Sequence, residues 1–261
     1  MCALKDILEK TSKGELTVEE AEKLVRVLAV AELEGVAKID FNREVRKGIP
    51  EIVLAENKAT KDVVDITLRM MRESGRVIVS RCSQEQVQAL KEALPHDAVF
   101  QSNEKARMIV VKRGDFSVKS TGGKIGILTA GTSDIGVAEE AKVVAEEMGC
   151  NVYTSYDLGV AGIHRLLQPL KDLVVKDVDV IVVVAGREGA LSSVVAGLVN
   201  VPVIAVPTSN SYGFGEKGVS TLMAMLQSCS LGLAVVNIDA GVAAGAVATL
   251  IANRAAKFRK S

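Results

Sequence analysis

Four short segments of this 261-residue chain carry side chains that could do chemistry. Three are glycine-containing turns at 131–134, 162–165 and 186–189, and each follows an apolar run. The fourth is a lone thiol, Cys229, between two serines. In an open α/β sheet the ligand-binding groups lie where the parallel strands end and the helices that follow them begin. The pattern therefore predicts that hydroxyls, an imidazole, a carboxylate and a thiol meet in one active-site cleft.

The turn at 131–134, with the sequence Gly-Thr-Ser-Asp, has the composition of a phosphate site. Backbone N–H groups at a helix N-terminus bind anions, and the hydroxyls of Thr132 and Ser133 can add hydrogen bonds. The same geometry serves a helix cap, in which Ser133 or Asp134 caps a helix that begins at Ile135. Both alternatives stay open, because the chain has neither the spaced glycines of a dinucleotide motif nor a Walker Gly-Lys-Ser.

His164 and Glu188 are the candidate proton-transfer groups. The imidazole of His164, one of 2 histidines in the chain, titrates near neutrality, and the neighbouring Arg165 can hold a carboxylate or a phosphate. Glu188 lies in a glycine-flanked turn and can act as a base where it is partly desolvated. The alternative for each is a solvated residue in the first turn of a helix, where a carboxylate also interacts favourably with the helix dipole.

Cys229 is the candidate nucleophile. It follows the C-terminal end of a predicted helix, where the helix dipole disfavours a thiolate. An inert cysteine that packs as a small apolar side chain is therefore the alternative. A cationic ligand stacked on the sulfur would supply the missing stabilisation. The other cysteines, Cys2, Cys82 and Cys150, show no metal-ligand spacing, so all four thiols are expected to be reduced.

A regular alternation of strands and helices positions these groups. Beyond residue 123, apolar runs predict five strands, at 124–129, 151–156, 178–185, 201–206 and 233–238. The helices between and after them are predicted to begin near Ile135, His164, Ala190, Gly218 and Gly241. Near-continuous Val and Ile runs imply strands that are buried on both faces. The predicted fold class is α/β, with a doubly wound parallel sheet in flavodoxin-like or Rossmann-like order.

A smaller α/β domain is expected ahead of this sheet. Gly, Ser, Thr and Lys replace the apolar periodicity at 114–123, which predicts domain limits of 1–119 and 120–261. Two capping boxes predict helix starts at Thr17/Glu20 and Ser83/Gln86, the first helix ending near Glu34. Short apolar runs at 51–54, 76–80 and 108–112 predict strands.

Composition excludes several classes of function. The chain carries 32 basic and 32 acidic side chains, and aromatic residues make up only 3%. This balance gives no electrostatic footprint for nucleic acid. The N-terminus lacks the apolar run of a signal peptide, and prolines and glycines interrupt the apolar C-terminal third too often for a membrane span. A cytoplasmic protein that binds neither nucleic acid nor membrane is expected.

The distribution of charge predicts self-association. Between Gly189 and Asn253 only Glu216, Lys217 and Asp239 are charged. The helices of a monomer need charged faces toward solvent, yet the segments 218–229 and 241–251 have almost none. We therefore expect both segments to be buried between the subunits of a homo-oligomer.

Together these motifs resemble the PurE-type carboxylase fold and, more narrowly, the LarB family. The resemblance covers most of residues 36–252. In the second domain it rests on Ala-Gly-Thr-Ser-Asp at 130–134, Gly-Ile-His-Arg at 162–165, Ala-Gly-Arg-Glu-Gly at 185–189, Val-Pro-Thr-Ser at 206–209 and Val-Asn-Ile-Asp-Ala-Gly at 236–241. In the first domain it rests on Ile39, Asp40, Arg43, residues 46–51 and Lys58. PurE proteins have Ser-Ala-His-Arg and Gly-Ala-Gly-Gly-Ala turns instead, and they lack the thiol.

The resemblance implies an activity. LarB proteins make pyridinium-3,5-biscarboxylic acid mononucleotide for the nickel-pincer cofactor of lactate racemase. They carboxylate the pyridinium ring of nicotinic acid adenine dinucleotide with CO2 or bicarbonate and cleave its phosphoanhydride to release AMP. The family pattern places the nucleophile at Cys229 and the catalytic base at Glu188, with His164 as a further catalytic candidate. The substrate-binding candidates are Gly131, Thr132, Ser133, Asp134, Arg165, Arg187, Thr208, Ser209 and Asp239.

The same resemblance implies a homo-oligomer, with a PurE-type octamer as the first expectation. It implies no tightly bound cofactor, and Mg2+ is the one ion that could assist anhydride cleavage, although the sequence has no dedicated ligand cluster. Arg43, Arg46 and Lys58 are candidates to reach substrate phosphates, with solvated side chains as the alternative.

The sequence departs from the family pattern at several positions, and two other functions also stay open. Leu231 stands where the pattern has Pro, and Asn210, Ser211 and residues 240–242 also differ. One alternative is an aminoimidazole ribonucleotide carboxylase or mutase, in which His164 shuttles the proton and Cys229 is dispensable. The other is a non-catalytic nucleotide sensor that uses the same cleft.

Overall fold

The computed structural model describes residues 3–28, 43–211 and 213–259. The chain forms two compact units, one of Met1–Gln101 with Val110–Phe116 and the other of Ser102–Ile109 with Ser117–Ser261. The division expected near residue 119 stays a prediction, because residues 102–109 group with the second unit. Ile39 and Asp40, and the expected helix end at Glu34, lie outside the described residues.

The first unit is a small α/β unit, as expected. Its elements are α1 (Ala3–Ser12), α2 (Val18–Leu28), α3 (Arg43–Lys47), β1 (Ile52–Leu54), α4 (Thr60–Ser74), β2 (Arg76–Ser80), α5 (Gln84–Ala93), β3 (Val99–Asn103) and β4 (Met108–Lys112), although the last two residues of β3 and the first two of β4 group with the second unit. The sheet has the strand order β1-β2-β4-β3. Four of these elements were not predicted: the helices α1, α3 and α4 and the strand β3. None of the five residues of β3 is buried, and its polar sequence, Val-Phe-Gln-Ser-Asn, lacks an apolar face.

Both capping boxes predicted in this unit are present. The Thr17 N–H donates to Glu20 Oε2 at 2.9 Å, and the Glu20 N–H donates to Thr17 Oγ1 at 3.2 Å. Ser83 and Gln86 make the same reciprocal pair at the start of α5. These bonds satisfy N–H groups that have no partner within the helix.

The second unit alternates strands and helices as the apolar runs predict. Its elements are β5 (Lys124–Thr129), α6 (Ile135–Glu147), β6 (Asn151–Ser155), α7 (His164–Val175), β7 (Val180–Ala185), α8 (Ala190–Ala196), β8 (Val203–Pro207), α9 (Val219–Leu226), β9 (Leu233–Val235) and α10 (Gly241–Arg259). The sheet order is β6-β5-β7-β8-β9, and all four pairings are parallel. This is the flavodoxin-like order, so the predicted fold class is confirmed.

Alternate residues of the strands pack into two separate apolar layers, one on each face of the sheet. Ile181 and Val183 of β7 join the layer that also holds Leu191 of α8, whereas Val182 joins the layer of α6 and α10. Small residues let α10 approach α6 closely, since a Cβ added at Gly245 would lie 2.6 Å from the backbone oxygen of Ala141. Both faces of the sheet are therefore covered, which explains its near-continuous Val and Ile runs.

The last strand ends earlier than expected. β9 stops at Val235, although the Val236 N–H still donates to the oxygen of Ala205 at 3.0 Å. The chain then turns at Asp239, whose φ is +53°. Among the described helices, none is long and apolar enough to cross a membrane.

Candidate active site

A cavity of about 490 Å³ opens at the carboxyl edge of the five-stranded sheet. Its lining comes from the segments that follow β5, β6, β7 and β8: Ala130, Gly131, Ser133, Asp134, Gly159, Val160, Ala161, Ala185, Gly186, Arg187, Glu188, Ala190, Leu191 and Asn210. Parallel strands end at one edge of the sheet, which is why segments distant in sequence meet there. The cavity therefore lies at the edge of the sheet where the cleft was expected, but its lining includes the 131–134 turn and Glu188 and not His164 or Cys229.

The carboxylate of Asp134 holds the turn after β5 in place through hydrogen bonds. Its side chain is buried; Oδ2 accepts a hydrogen bond from the Gly131 N–H at 2.9 Å, and Oδ1 accepts one from Thr208 Oγ1 at 2.8 Å. Both carboxylate oxygens are thus engaged by the protein. Thr132 and Ser133 are exposed, and among the described residues no side chain bonds to either hydroxyl. Asp134 therefore shapes the turn, while the two hydroxyls are available to an anion.

The bond between Thr208 and Asp134 has room to form because residue 186 is a glycine. A Cβ added there would lie 2.8 Å from Thr208 Oγ1 and 3.7 Å from Asp134 Oδ1. Thr208 is fully buried, so its hydroxyl has little freedom to move away. A larger residue at position 186 would break the bond between Thr208 and Asp134.

The predicted base lies in this cavity. Glu188 and Arg187 both belong to the lining, and both side chains are exposed. Arg187 has φ +55°, a left-handed conformation that non-glycine residues rarely adopt. The turn that carries Glu188 is therefore held in an unusual backbone geometry beside the phosphate-type turn.

The turn after β6 lines the cavity with residues 159–161 and also carries Arg165, which is exposed and is not among the lining residues. Arg165 donates from Nη1 to Asp157 Oδ2 at 2.7 Å, and a Cβ added at Gly162 would lie 2.8 Å from Arg165 Nε. His164 is the first residue of α7 and is exposed, but it is not among the residues that line the cavity. Its catalytic role stays a prediction.

The segment after β8 connects two of the other turns. The Ser209 N–H donates to Asp239 Oδ1 at 2.9 Å, and Asn210 Nδ2 donates to the backbone oxygen of Ser133 at 2.8 Å. Asp239 therefore orders this segment rather than lining the cavity. Asn210 does line it, although the sequence marked it only as a departure from the family pattern. Its position just past a parallel strand was the available signal.

Cys229 is exposed and lies outside the cavity lining of its own chain. It falls between the end of α9 and the start of β9, which is the amino edge of the sheet, whereas the cavity opens at the carboxyl edge. Its neighbours dock on α8: Ser228 Oγ lies 2.8 Å from Ser193 Oγ, and Ser230 Oγ donates to the Ser193 oxygen at 2.8 Å. Within one chain, Glu188 and the 131–134 turn line the same cavity, whereas the Cys229 thiol lies outside it.

Nothing in the sequence indicated a buried polar network on α6. Glu139 is buried and accepts hydrogen bonds from Tyr156 Oη at 2.5 Å and Asn103 Nδ2 at 2.6 Å, with Lys142 Nζ at 3.7 Å. Burial by itself raises the pKa of Glu139, but the two hydrogen bonds and the Lys142 charge outweigh it, so the pKa lies below its ordinary value. Burial, and then the bond to Glu139, raise the pKa of Tyr156. The network fixes the segment after β6 against α6.

Three basic residues of the first unit, Arg43, Arg46 and Lys58, are the candidates to contact substrate phosphates. Arg43 Nη1 donates to Glu51 Oε2 at 2.8 Å, and Lys58 Nζ donates to the backbone oxygen of Leu54 at 2.7 Å. The side chain of Arg46 lies outside the described residues. Their contact with substrate phosphates stays a prediction.

Metal ligands are not grouped in the described part of the chain. There, no three His, Cys, Asp or Glu side chains are arranged to hold a metal ion. In the cavity lining the carboxylates are Asp134, whose two oxygens are already engaged, and Glu188. This donor set does not fit an ion held by the protein alone.

Comparison with known proteins gives the family. Residues 124–260 match the family described as AIR carboxylase, and residues 30–113 match the LarB/PurE-like N-terminal domain. A parallel sheet of this order with these matches defines a carboxylase-type enzyme that has a PurE-like domain. Uncharacterized protein MJ0165 of Methanocaldococcus jannaschii is 43% identical over 253 residues, covering 95% of this chain and 96% of that protein. The chain belongs to the LarB family, as its motifs suggested.

Proposed function

We infer that this protein carboxylates the pyridinium ring of nicotinic acid adenine dinucleotide and hydrolyses its phosphoanhydride, releasing AMP and pyridinium-3,5-biscarboxylic acid mononucleotide for nickel-pincer cofactor synthesis. One observation carries the proposal. Glu188 lines the same cavity of about 490 Å³ as the 131–134 turn, which supports a site in which a carboxylate base and a phosphate-type turn act on one ligand. The family supports a carboxylase-type reaction.

The turns of the cavity suit a dinucleotide. The hydroxyls of Thr132 and Ser133 lie at a helix start, where an anionic pyrophosphate is favoured. Arg165 and Arg187 add positive charge from the two neighbouring turns. Asp134 holds the 131–134 turn through Gly131 and Thr208, so its carboxylate acts on the substrate indirectly.

The chemistry needs a nucleophile before it needs a base. A pyridinium ring is electron-poor and does not attack CO2. The Cys229 thiolate adds to a ring carbon, and the ring becomes a neutral enamine whose C5 is nucleophilic. C5 forms a bond to the carbon of CO2, which leaves a carboxylate on C5 and the positive charge on the ring nitrogen.

Two steps restore the aromatic ring. Glu188 takes the proton from C5, and the C–H electron pair regenerates the enamine. The carbon–sulfur bond then breaks, the pair leaves with the Cys229 thiolate, and aromaticity returns. Water finally cleaves the phosphoanhydride to give AMP and the mononucleotide.

A second copy supplies Cys229 in this proposal. The thiol lies outside its own chain's cavity, and exposed apolar side chains flank it: Leu231 is 91% exposed, Leu226 66% and Met223 61%. Such a surface is buried when copies associate. The homo-oligomer, with a PurE-type octamer as the expected assembly, would then place Cys229 of the partner subunit beside Glu188.

Mg2+ has a limited place in the proposal. Because the cavity lining does not hold the ion by itself, Mg2+ would come bound to the substrate phosphates, and no step of the proposed reaction is assigned to it. The residues of this chain that meet those phosphates would be the 131–134 turn, Arg165 and Arg187.

An aminoimidazole ribonucleotide carboxylase or mutase is the second candidate, and the match of residues 124–260 to AIR carboxylase favours it. In that reaction His164 would shuttle the proton. The thiol would be dispensable, because the imidazole ring of that substrate is already electron-rich at the carboxylated carbon.

One assay separates these functions. The purified protein is incubated with bicarbonate and either nicotinic acid adenine dinucleotide or aminoimidazole ribonucleotide, and the products are resolved by liquid chromatography and mass spectrometry. We expect AMP and a mononucleotide with one added carboxyl group from the dinucleotide alone. Carboxylation of aminoimidazole ribonucleotide without any AMP from the dinucleotide would establish the second candidate instead.

A further inference from the structure

We propose that Ser211 and Thr221 are positioning residues, which hold the turn that carries Glu188 through a closed ring of hydrogen bonds. The proposal rests on the proposed function in one respect, the role of Glu188 as the base. Ser211 was noted in the sequence only as a departure from the family pattern, and nothing there pointed to Thr221.

The turn that carries Glu188 needs contacts from other segments to keep its backbone conformation. Arg187 has φ +55°, a left-handed conformation that is unfavourable for a non-glycine residue and persists only where surrounding contacts fix it. The next residue is Glu188. The carbonyl of Arg187 belongs to the peptide bond that leads into Glu188, so the orientation of this peptide sets the direction of the carboxylate.

Both polar groups of Arg187's backbone are held. The Arg187 N–H donates to Ser211 Oγ at 2.8 Å, and Thr221 Oγ1 donates to the Arg187 oxygen. The two hydroxyls lie 3.0 Å apart. Since Thr221 gives its single hydroxyl hydrogen to Arg187, the hydrogen between the hydroxyls must come from Ser211. The ring then runs in one direction, from the Arg187 N–H through Ser211 and Thr221 to the Arg187 carbonyl.

The packing around the ring leaves it little freedom. Thr221 is fully buried. A Cβ added at Gly189 would lie 2.9 Å from Met225 and 3.1 Å from Thr221 Cγ2, so α9 packs tightly on the turn. A Cβ added at Gly215 would lie 2.3 Å from Ser211 Cβ, which confines that side chain as well. Three segments, after β7, after β8 and in α9, therefore converge on one peptide.

Removal of one hydroxyl should slow proton removal more than substrate binding. In Thr221→Val the shape is kept, but the Arg187 carbonyl loses its donor. A catalytic group that shifts by about 1 Å can lose up to about 100-fold in rate. We expect kcat for carboxylation to fall about 10- to 100-fold, and KM for nicotinic acid adenine dinucleotide to change by less than about threefold.

The experiment compares Thr221→Val and Ser211→Ala with two controls. Thr221→Ser keeps the hydroxyl and should recover most of the rate. Thr67→Val is the matched control, because Thr67 of α4 is also fully buried and its hydroxyl has no partner among the described residues. Intact-protein mass spectrometry should show the Cys229 adduct accumulating in Thr221→Val and not in Thr67→Val, as expected when the base is misplaced. Wild-type kcat in both hydroxyl variants would overturn the proposal.

A second measurement does not depend on activity. Amide hydrogen exchange at Arg187 should be about tenfold faster in Ser211→Ala than in wild type, because the N–H loses its acceptor. Unchanged exchange at the Arg187 amide would show that the ring of hydrogen bonds does not form, and would overturn the proposal. If wild type releases no AMP from the dinucleotide, the proposed function fails while faster exchange still supports the ring, so the two failures are distinguishable. Should Thr221→Val fail to fold, Ser211→Ala, at a half-buried position, carries both readouts.

Discussion

Thr208 donates its hydroxyl hydrogen to Asp134 across 2.8 Å, although 74 positions separate them in the chain. Both side chains are buried, and the bond joins the turn after β5 to the end of β8 beneath the cavity. Asp134 in turn holds the Gly131 N–H. The phosphate-type turn therefore depends on a strand that lies two places away in the sheet.

Thr208→Val should loosen this turn. The substitution keeps the volume but leaves one oxygen of the buried Asp134 carboxylate without its donor, which costs about 1–3 kcal/mol. We expect a lower free energy of unfolding in urea and a KM for the dinucleotide raised by about tenfold, since the turn is proposed to hold its phosphates. Thr67→Val, which removes a buried hydroxyl without a partner among the described residues, should cost much less. Equal losses in the two variants would show that the bond contributes nothing specific.

Cys229→Ala should fold normally and lose carboxylation. The side chain is exposed, so its truncation removes little packing, and the proposed chemistry has no substitute for a soft nucleophile. Cys229→Ser should also be inactive or very slow, because a hydroxyl is the weaker nucleophile. Cys82→Ala and Cys150→Ala, at buried positions, serve as controls and should keep turnover with some loss of stability; Cys2, outside the described residues, should also be replaceable. Near-wild-type turnover in Cys229→Ala would remove the covalent mechanism.

Glu188→Gln should stop the reaction after the thiol has added. The amide cannot take the C5 proton, so the Cys229 adduct should persist and be visible by intact-protein mass spectrometry. Mixing Glu188→Gln with Cys229→Ala under subunit exchange should restore part of the activity if two copies build one site. A Glu188→Gln protein that carboxylates at the wild-type rate would move the base elsewhere, with His164 as the next candidate.

Met223→Glu should break the proposed homo-oligomer. Met223 is 61% exposed on α9 within the charge-poor segment, and a carboxylate there would have to be desolvated between subunits. Light scattering should show a smaller species or loss of solubility, with little activity. Ala246→Glu on α10 should act in the same direction. Leu8→Glu is the matched control, since Leu8 is 58% exposed but lies in α1 of the first unit. A stable wild-type monomer at micromolar concentration would contradict the prediction.

Glu139→Gln should destabilise the protein in a pH-dependent way. The folded-state pKa of Glu139 lies below its unfolded value, so its contribution is present above the ordinary Glu pKa of about 4.3 and is lost as pH falls through the folded value. We expect a loss of about 1–3 kcal/mol at neutral pH. The difference from wild type should shrink as the pH is lowered below about 4. Glu92→Gln, at an exposed position of α5, should show no comparable loss at either pH.

Much of the fold follows from local patterns along the chain. Strand positions, helix starts and both capping boxes depend on neighbours a few residues away, so periodicity and turn chemistry predict them. Parallel pairing follows from the buried Val and Ile runs and the helices between them. The exceptions lie in the first unit, where α1, α3 and α4 were not predicted and β3 was missed because its polar, exposed residues carry no period that marks a strand.

Parts of the candidate site also follow from sequence. Gly131, Ser133, Asp134, Arg187 and Glu188 come directly after predicted strands, and parallel strands place such residues at one edge, where the structure has its cavity. The charge-poor segments between Gly189 and Asn253 likewise predict a surface that other copies cover.

Only the tertiary structure decided which of these residues meet. Thr208 reaches Asp134, and Ser211 and Thr221 close on Arg187, because strand order and helix packing bring distant segments within hydrogen-bond distance. The sequence grouped Cys229 with the turns, but its loop precedes β9 and lies at the opposite edge of the sheet. Local residue types fix which elements form and which groups they carry, whereas the meeting of those groups depends on long-range packing that no short stretch of sequence encodes.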